Sequence, residues 1–215
     1  MMKKKSPIKI IIIIVLVCIV IGIAGFIWYK NGTRRAIKGL DDPIQEPAEG
    51  SVILEAGGYN FVTTFLYNYD IDALVVHTKD YYGNSVEDQL SHKDLALAWG
   101  AVAEYNEFID FHWHQEGRFY SYKVDTRKEL DNVGGIKGIS QHSSNNHIIS
   151  ADGGVESQIR AIRRGDHVRL KGYLVNLDGI ASGGKSYHWH TSTTRNDTGN
   201  HSCEVFYVTE VTWLD

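Results

Sequence analysis

The chain has 215 residues, 43% of them hydrophobic, 22% charged and 11% aromatic, with 21 Gly, 3 Pro and 2 Cys. That composition excludes a disordered chain, a fibrous one, a disulfide-rich scaffold and a four-thiolate zinc module. The net charge of −4 is uneven: residues 1–50 carry eight Lys and Arg against four acids, leaving fourteen against twenty-two for the rest, a net of −8. Such an acidic remainder lacks the phosphate-neutralising charge of a bulk nucleic-acid binder.

Residues 1–9 form a short basic tail. From residue 10 to 28 no charge interrupts a run of mostly Ile and Val. As a helix this run spans roughly 28 Å, close to the hydrocarbon thickness of a bilayer. A cleaved signal peptide has a shorter apolar region ending in small residues, whereas Phe26, Ile27 and Trp28 end this one. Trp28 and Tyr29 suit an interfacial belt. The expectation is a transmembrane helix over residues 10–29, with the lipid bilayer as partner. Flanking cations tie (Lys3, Lys4, Lys5, Lys9 against Lys30, Arg34, Arg35, Lys38), but a short basic tail before one apolar segment favours an inside N-terminus and an extracytoplasmic domain.

Residues 30–50, polar and holding Pro43 and Pro47, read as a linker. A single soluble domain is expected from 51 to 215. Strand character marks 70–78, 108–114 and 118–124 by β-branched and aromatic enrichment. Ser91 and Asp94 have capping-box spacing, which predicts a helix through Leu97. Val155, Ile159 and Ile162 recur at helical spacing, and Gly165-Asp166 ends that helix. Residues 167–175 alternate as a half-buried strand, and 203–213 is the strongest strand pattern. The fold class is therefore α+β, mostly β. Its C-terminal third, a helix and then strands joined through the glycines at 179–184, suits a small OB-like barrel.

Three stretches, SHKDLALAWG (91–100), ISQHSSNNHIIS (139–150), and RRGDHVRLKGYLV with HWHTSTTRNDTGNHSCEVFYVTEV (163–175 and 188–211), resemble an uncharacterised family of bacterial proteins. The resemblance implies an N-terminal membrane anchor, one β-rich extracytoplasmic domain and no assigned activity. In that family's pattern the positions of His188 and His190 often hold arginine, so a metal there is not implied by the resemblance.

All ten histidines lie between residues 77 and 201. Two H-x-H pairs, His112/His114 and His188/His190, would each point two imidazoles to one face of a strand and so offer a zinc site, with His142, His147 or His201 as a third ligand. Alternatively they are amphipathic residues on half-exposed strands beside Trp113 and Trp189. A second group, His142, Asn145, Asn146 and His147, is expected on a glycine-flanked loop, either as a hydrogen-bonding or acid/base site or as local backbone satisfaction. Arg195 and Asp197, among the hydroxyls at 191–199, could take an anion or simply shape a turn. Arg160, Arg163, Arg164, Arg169 and Lys171 form a basic stripe.

Neither Ser192 nor Cys203 has the surroundings of a nucleophile. With no complete catalytic set, the reading is a membrane-anchored, non-catalytic binding or assembly module of the bacterial cell envelope, with an envelope protein partner, no cofactor, and a binding surface at His142, Asn145, His147, Arg195 and Asp197. One alternative is a zinc hydrolase on the clustered histidines; a second is an OB-like oligosaccharide or nucleic-acid binder.

Overall fold

The computed structural model describes residues 7–32, 34–194 and 202–214. It divides into two units, 1–34 and 35–215. In the first, α1 runs Pro7–Gly32, and the side chains described within it at 11–26 are all exposed, among them Ile11, Ile13, Ile21 and Phe26. That described apolar stretch is shorter than the roughly 20 residues a span takes, and among the described residues no helix is long and apolar enough to cross a membrane.

The second unit is mostly β, in keeping with its alternating and β-branched runs. Its elements are β1 (Ile44–Pro47), β2 (Ser51–Ala56), β3 (Tyr59–Asp80), α2 (Val86–Leu90), β4 (Lys93–Ala98), α3 (Gly100–Tyr105), β5 (His114–Glu116), β6 (Phe119–Ser121), α4 (Arg127–Asp131), α5 (Gly135–Gln141), β7 (Ser143–Ser150), α6 (Gly153–Ala161), β8 (His167–Ala181), β9 (Ser186–His190) and β10 (Glu204–Leu214). The pairing path β3-β4-β7-β10-β8 closes on itself because β8 also pairs with β3. All contacts in this ring are antiparallel except β7 with β10. β3 can serve four neighbours because it is 22 residues long and bends at irregularities near Phe65/Tyr67 and Val75/His77. β9 adds to the outer edge of β8.

The two-residue period of the strands fills two apolar clusters. Ile148, Phe206 and Val208 enter the larger, with Leu95, Leu97, Val168, Leu170, Trp99 and the Val155, Ile159 and Ile162 face of α6. Ile149, Val205 and Tyr207 enter the smaller, with Phe61, Val175 and Leu177. Gly172 lets β8 and β10 approach: a Cβ there would lie 2.0 Å from the Tyr207 carbonyl oxygen.

Four expectations are corrected. The linker ends early: residues 35–50 belong to the domain, because Leu40 is buried, Ile37 N–H donates to the Ala103 carbonyl, Gly100 N–H donates to the Leu40 carbonyl, and β1 pairs with β3. The helix expected from Ser91 is instead strand β4, buried along its whole length between β3 and β7. The cap pattern that does operate lies earlier: the Ser85 hydroxyl accepts from Asp88 N–H and opens α2. The strand expected at 108–114 is irregular up to β5, and His112 has φ +45; Phe111 and Trp113 are aromatic because they are buried, not because they pair. The loop expected around residues 142–147 is largely β7, a central strand buried from Ser143 to Ile149. Helix α6 forms as expected, its N-terminus capped by Asp152 accepting from Gly154 and Val155 N–H. Buried Lys93 closes the other end by donating to the Arg160 and Ile162 carbonyls.

The C-terminal strands β8 and β10 do enter a closed ring, but β3, β4 and β7 supply the rest of it. The basic stripe is largely neutralised. Arg169 makes a bidentate pair with Asp70 at 2.7 Å, Lys171 lies 3.8 Å from the same carboxylate, and Arg160 pairs with Glu156 at 2.6 Å.

Candidate functional site

A cleft of about 580 Å³ lies on the face of β7 that carries the smaller apolar cluster. Its floor follows from strand register. Asp94 of β4 and His147 of β7 are direct cross-strand partners, so their side chains rise on the same side. Both are buried, His147 at 5% exposure and Asp94 at 0%.

Arg118 comes from the turn between β5 and β6, where Gly117 and Arg118 both have positive φ (+56 and +71). For a residue with a Cβ this left-handed conformation costs about 1–2 kcal/mol, and it turns the side chain inward. There Nη1 donates to Asp94 Oδ1 at 2.9 Å, and Nη2 donates to Asp88 Oδ1 at 2.6 Å and to the Ser91 carbonyl at 2.9 Å. The guanidinium carbon sits 3.6 Å from the centroid of the Tyr81 ring, whose hydroxyl donates to Asp94 Oδ2 at 3.0 Å. His147 Nδ1 lies 3.0 Å from Asp94 Oδ1 without the alignment of a hydrogen bond, and its ring packs 5.0 Å from Trp189.

Asn145, two residues before His147 on the same face, positions the arginine. Its Nδ2 donates to the Arg118 carbonyl at 3.0 Å, while its Oδ1 accepts from Gln115 at 2.5 Å. Tyr187, Trp189 and His190 of β9, Phe119 of β6, Glu87 of α2 and its cap Ser85, and Cys203 complete the walls. The Tyr187 hydroxyl donates to Glu87.

Burial, and then the adjoining Asp94 and Glu87 carboxylates, push the Tyr81 and Tyr187 phenols well above the usual tyrosine value. Burial opposes ionisation of Glu87, but hydrogen bonds led by Tyr187 win and hold its carboxyl below the ordinary range. Because the folded state keeps these phenols protonated, their contribution to stability is complete below the unfolded tyrosine pKa near 10 and is lost as pH rises through the folded values. A spectrophotometric titration at 295 nm should therefore show a late class of tyrosines that ionises only with alkaline unfolding. Tyr81→Phe and Tyr187→Phe should each remove one phenol from that class, and normal ionisation of both tyrosines in the intact fold would contradict the burial described.

Three carboxyl side chains, Glu87, Asp88 and Asp94, surround the one guanidinium, Arg118. The guanidinium is already engaged by two carboxylates and stacked on Tyr81, so it is poorly placed to capture an anion. What remains open to a ligand is a set of aromatic faces and carboxylate oxygens in a cleft of small-molecule size.

Of the residues expected from the sequence, His147 and Asn145 meet here. His142 does not: it caps α5, its Nδ1 bonds the Gly138 carbonyl, and its ring packs against Gly100. His112 and His114 are not brought to a shared face; His112 pairs with Asp125 at 3.1 Å and His114 with Glu116 at 3.5 Å. His188 and His190 converge as expected, but on Asp178 and not on His142 or His147. Arg195 and Asp197 lie outside the described residues, as does His201. Sequence reasoning missed Tyr81, Glu87, Asp88, Asp94, Arg118 and Tyr187. Only the Ser85-to-Asp88 cap spacing hinted at any of them, because the rest are brought together by register and a turn. In comparisons with known proteins, no family model, curated protein or solved structure matches this chain.

Proposed function

We propose that the protein is a membrane-anchored, non-catalytic binding module of the cell envelope whose OB-like barrel holds a neutral or amino-sugar oligosaccharide in the cleft above Asp94 and His147. The OB-like reading rests on the connectivity. Five strands closed in the order first-second-third-fifth-fourth, a parallel third-fifth contact and a helix between third and fourth are the plan of that barrel, and β3, β4, β7, β8, β10 and α6 fill those places in turn.

One observation carries the ligand assignment. In OB barrels ligands lie on the second and third strands and the loops joining strands one-two and four-five, and most of the cleft lining comes from such positions: His147 of β7 below, Tyr81, Ser85, Glu87 and Asp88 from the first connection, and Tyr187, Trp189, His190 and Cys203 from the last, with Gly117, Arg118 and Phe119 added from the connection between β4 and β7. Aromatic faces suit the C–H surfaces of sugar rings, and carboxylates accept from hydroxyl or ammonium groups. The acidic lining disfavours a polyanion, which sets the nucleic-acid alternative aside. Anchoring through α1 is supported by the uncharged run 10–28 inside a 26-residue helix.

The full chain, isolated from membranes in detergent, should bind N-acetylglucosamine oligomers or neutral glucan oligomers in a calorimetric titration, and Trp189→Ala or Asp88→Asn should weaken binding at least tenfold. Preference for a single-stranded oligonucleotide over every glycan, or glycan binding indifferent to both variants, would reject the assignment.

A further inference from the structure

On β9, His188 and His190 alternate with Tyr187 and Trp189 at the two-residue spacing of a strand, and His190 also borders the cleft. Facing them from β8 is Asp178, the register partner of His188. His188 Nδ1 lies 2.6 Å and His190 Nε2 2.8 Å from the same oxygen, Asp178 Oδ1, and the two imidazoles meet edge to face with centroids 5.9 Å apart. The three ligand atoms all fall within 4.8 Å of one another, the one such group among the described residues.

From this geometry we infer a divalent transition-metal site, of the zinc class, formed by Asp178, His188 and His190. Two imidazoles and one carboxylate are a borderline donor set, which suits zinc, copper or nickel and not calcium or magnesium. An ion bonded at about 2.0–2.2 Å to each donor needs those donors roughly 3.4 Å apart, so the hydrogen-bonded atoms have only to part by under about 1 Å. The ladder holds the rest in place: β8 is paired along its length with β3, and the hairpin into β9 is closed by Ala181 N–H to Lys185 O.

All three side chains are about half exposed (59%, 49% and 47%), which leaves the remaining coordination positions to water. A bound ion would tie edge strand β9, with Tyr187 and Trp189 on its other face, to β8. The site does not depend on the glycan reading.

The test is a zinc titration of the untagged full chain in detergent, after chelator treatment, read by calorimetry and repeated with cobalt by visible absorption. One zinc per chain is expected, with affinity falling on the order of tenfold or more in His188→Ala and in Asp178→Asn, since each removes one of three donors. Binding should also weaken as pH falls, because protons compete for the imidazoles. Both variants change exposed side chains, so unaltered circular dichroism melting will separate lost ligation from lost folding. The inference is overturned if either variant binds zinc as the parent does, or if no stoichiometric binding occurs: an undiminished Asp178→Asn would leave only a two-histidine surface chelate.

Discussion

Replacing Arg118 by Met should destabilise the 35–215 unit by about 3–5 kcal/mol, the usual cost of removing one partner from a buried ion pair. Asp94 is fully buried, and Arg118 and Asp88 are only 15% and 19% exposed at their side chains, so solvent cannot replace the lost cation. The Ser91 carbonyl would lose a donor as well, and Tyr81 its stacked guanidinium. Three companion variants locate the cause in the charges. Arg118→Lys should recover only part of the loss, because an ammonium cannot span Asp88 and Asp94 as the planar fork does. Arg118→Gly loses the same pairs but relieves the left-handed backbone, so it should be about 1 kcal/mol less damaging than Arg118→Met. Arg118→Met/Asp94→Leu should be milder than the sum of its single changes. Urea unfolding curves decide the matter; a loss below about 1 kcal/mol for Arg118→Met would mean the cluster is solvated and the cleft floor is not the rigid platform described.

The second large effect is expected at Trp99, fully buried where the end of β4 meets α3. Its indole N–H donates to Asp42 Oδ1 at 2.9 Å, its backbone N–H donates to the His142 carbonyl, and its ring belongs to the larger apolar cluster. It thereby joins the segment 35–50 to the sheet. Trp99→Ala should cost about 3–5 kcal/mol through lost burial and the cavity left behind. Asp42→Ala, which removes only the hydrogen-bond acceptor, should cost about 1 kcal/mol. The same measurement on the 35–215 unit distinguishes them. If Trp99→Ala proves no worse than Asp42→Ala, the ring does not pack as described and residues 35–50 revert to a tether.

These two sites also mark how far residue patterns reach. The β-rich class, α6 with its Val155, Ile159 and Ile162 face, and strands β8 and β10 were legible, because alternation and helical spacing record which face of an element is buried. The convergence of His188 and His190 was legible for the same reason, since i and i+2 share a face on any strand. Errors came where burial removed the alternation. In β4, KDLALA is enclosed on both sides, so a chance Ser-to-Asp spacing outweighed a strand with no polar face. In β7, Asn and His crowd a central strand because one face of it floors a polar cleft, a composition that in isolation reads as loop.

By itself, then, the order of residues determined the uncharged helical run 10–28, the acidic β-rich remainder and the faces of its amphipathic elements, all set by neighbours within a few positions along the chain. Only the tertiary structure decided that 35–50 is part of the domain, that β8 returns to β3 to close the ring, and that Arg118, Asp94 and His147 share one cleft while Asp178 joins His188 and His190. Those outcomes depend on strand register and on a left-handed turn at residue 118, and register is an interaction between segments tens of residues apart that no local pattern encodes.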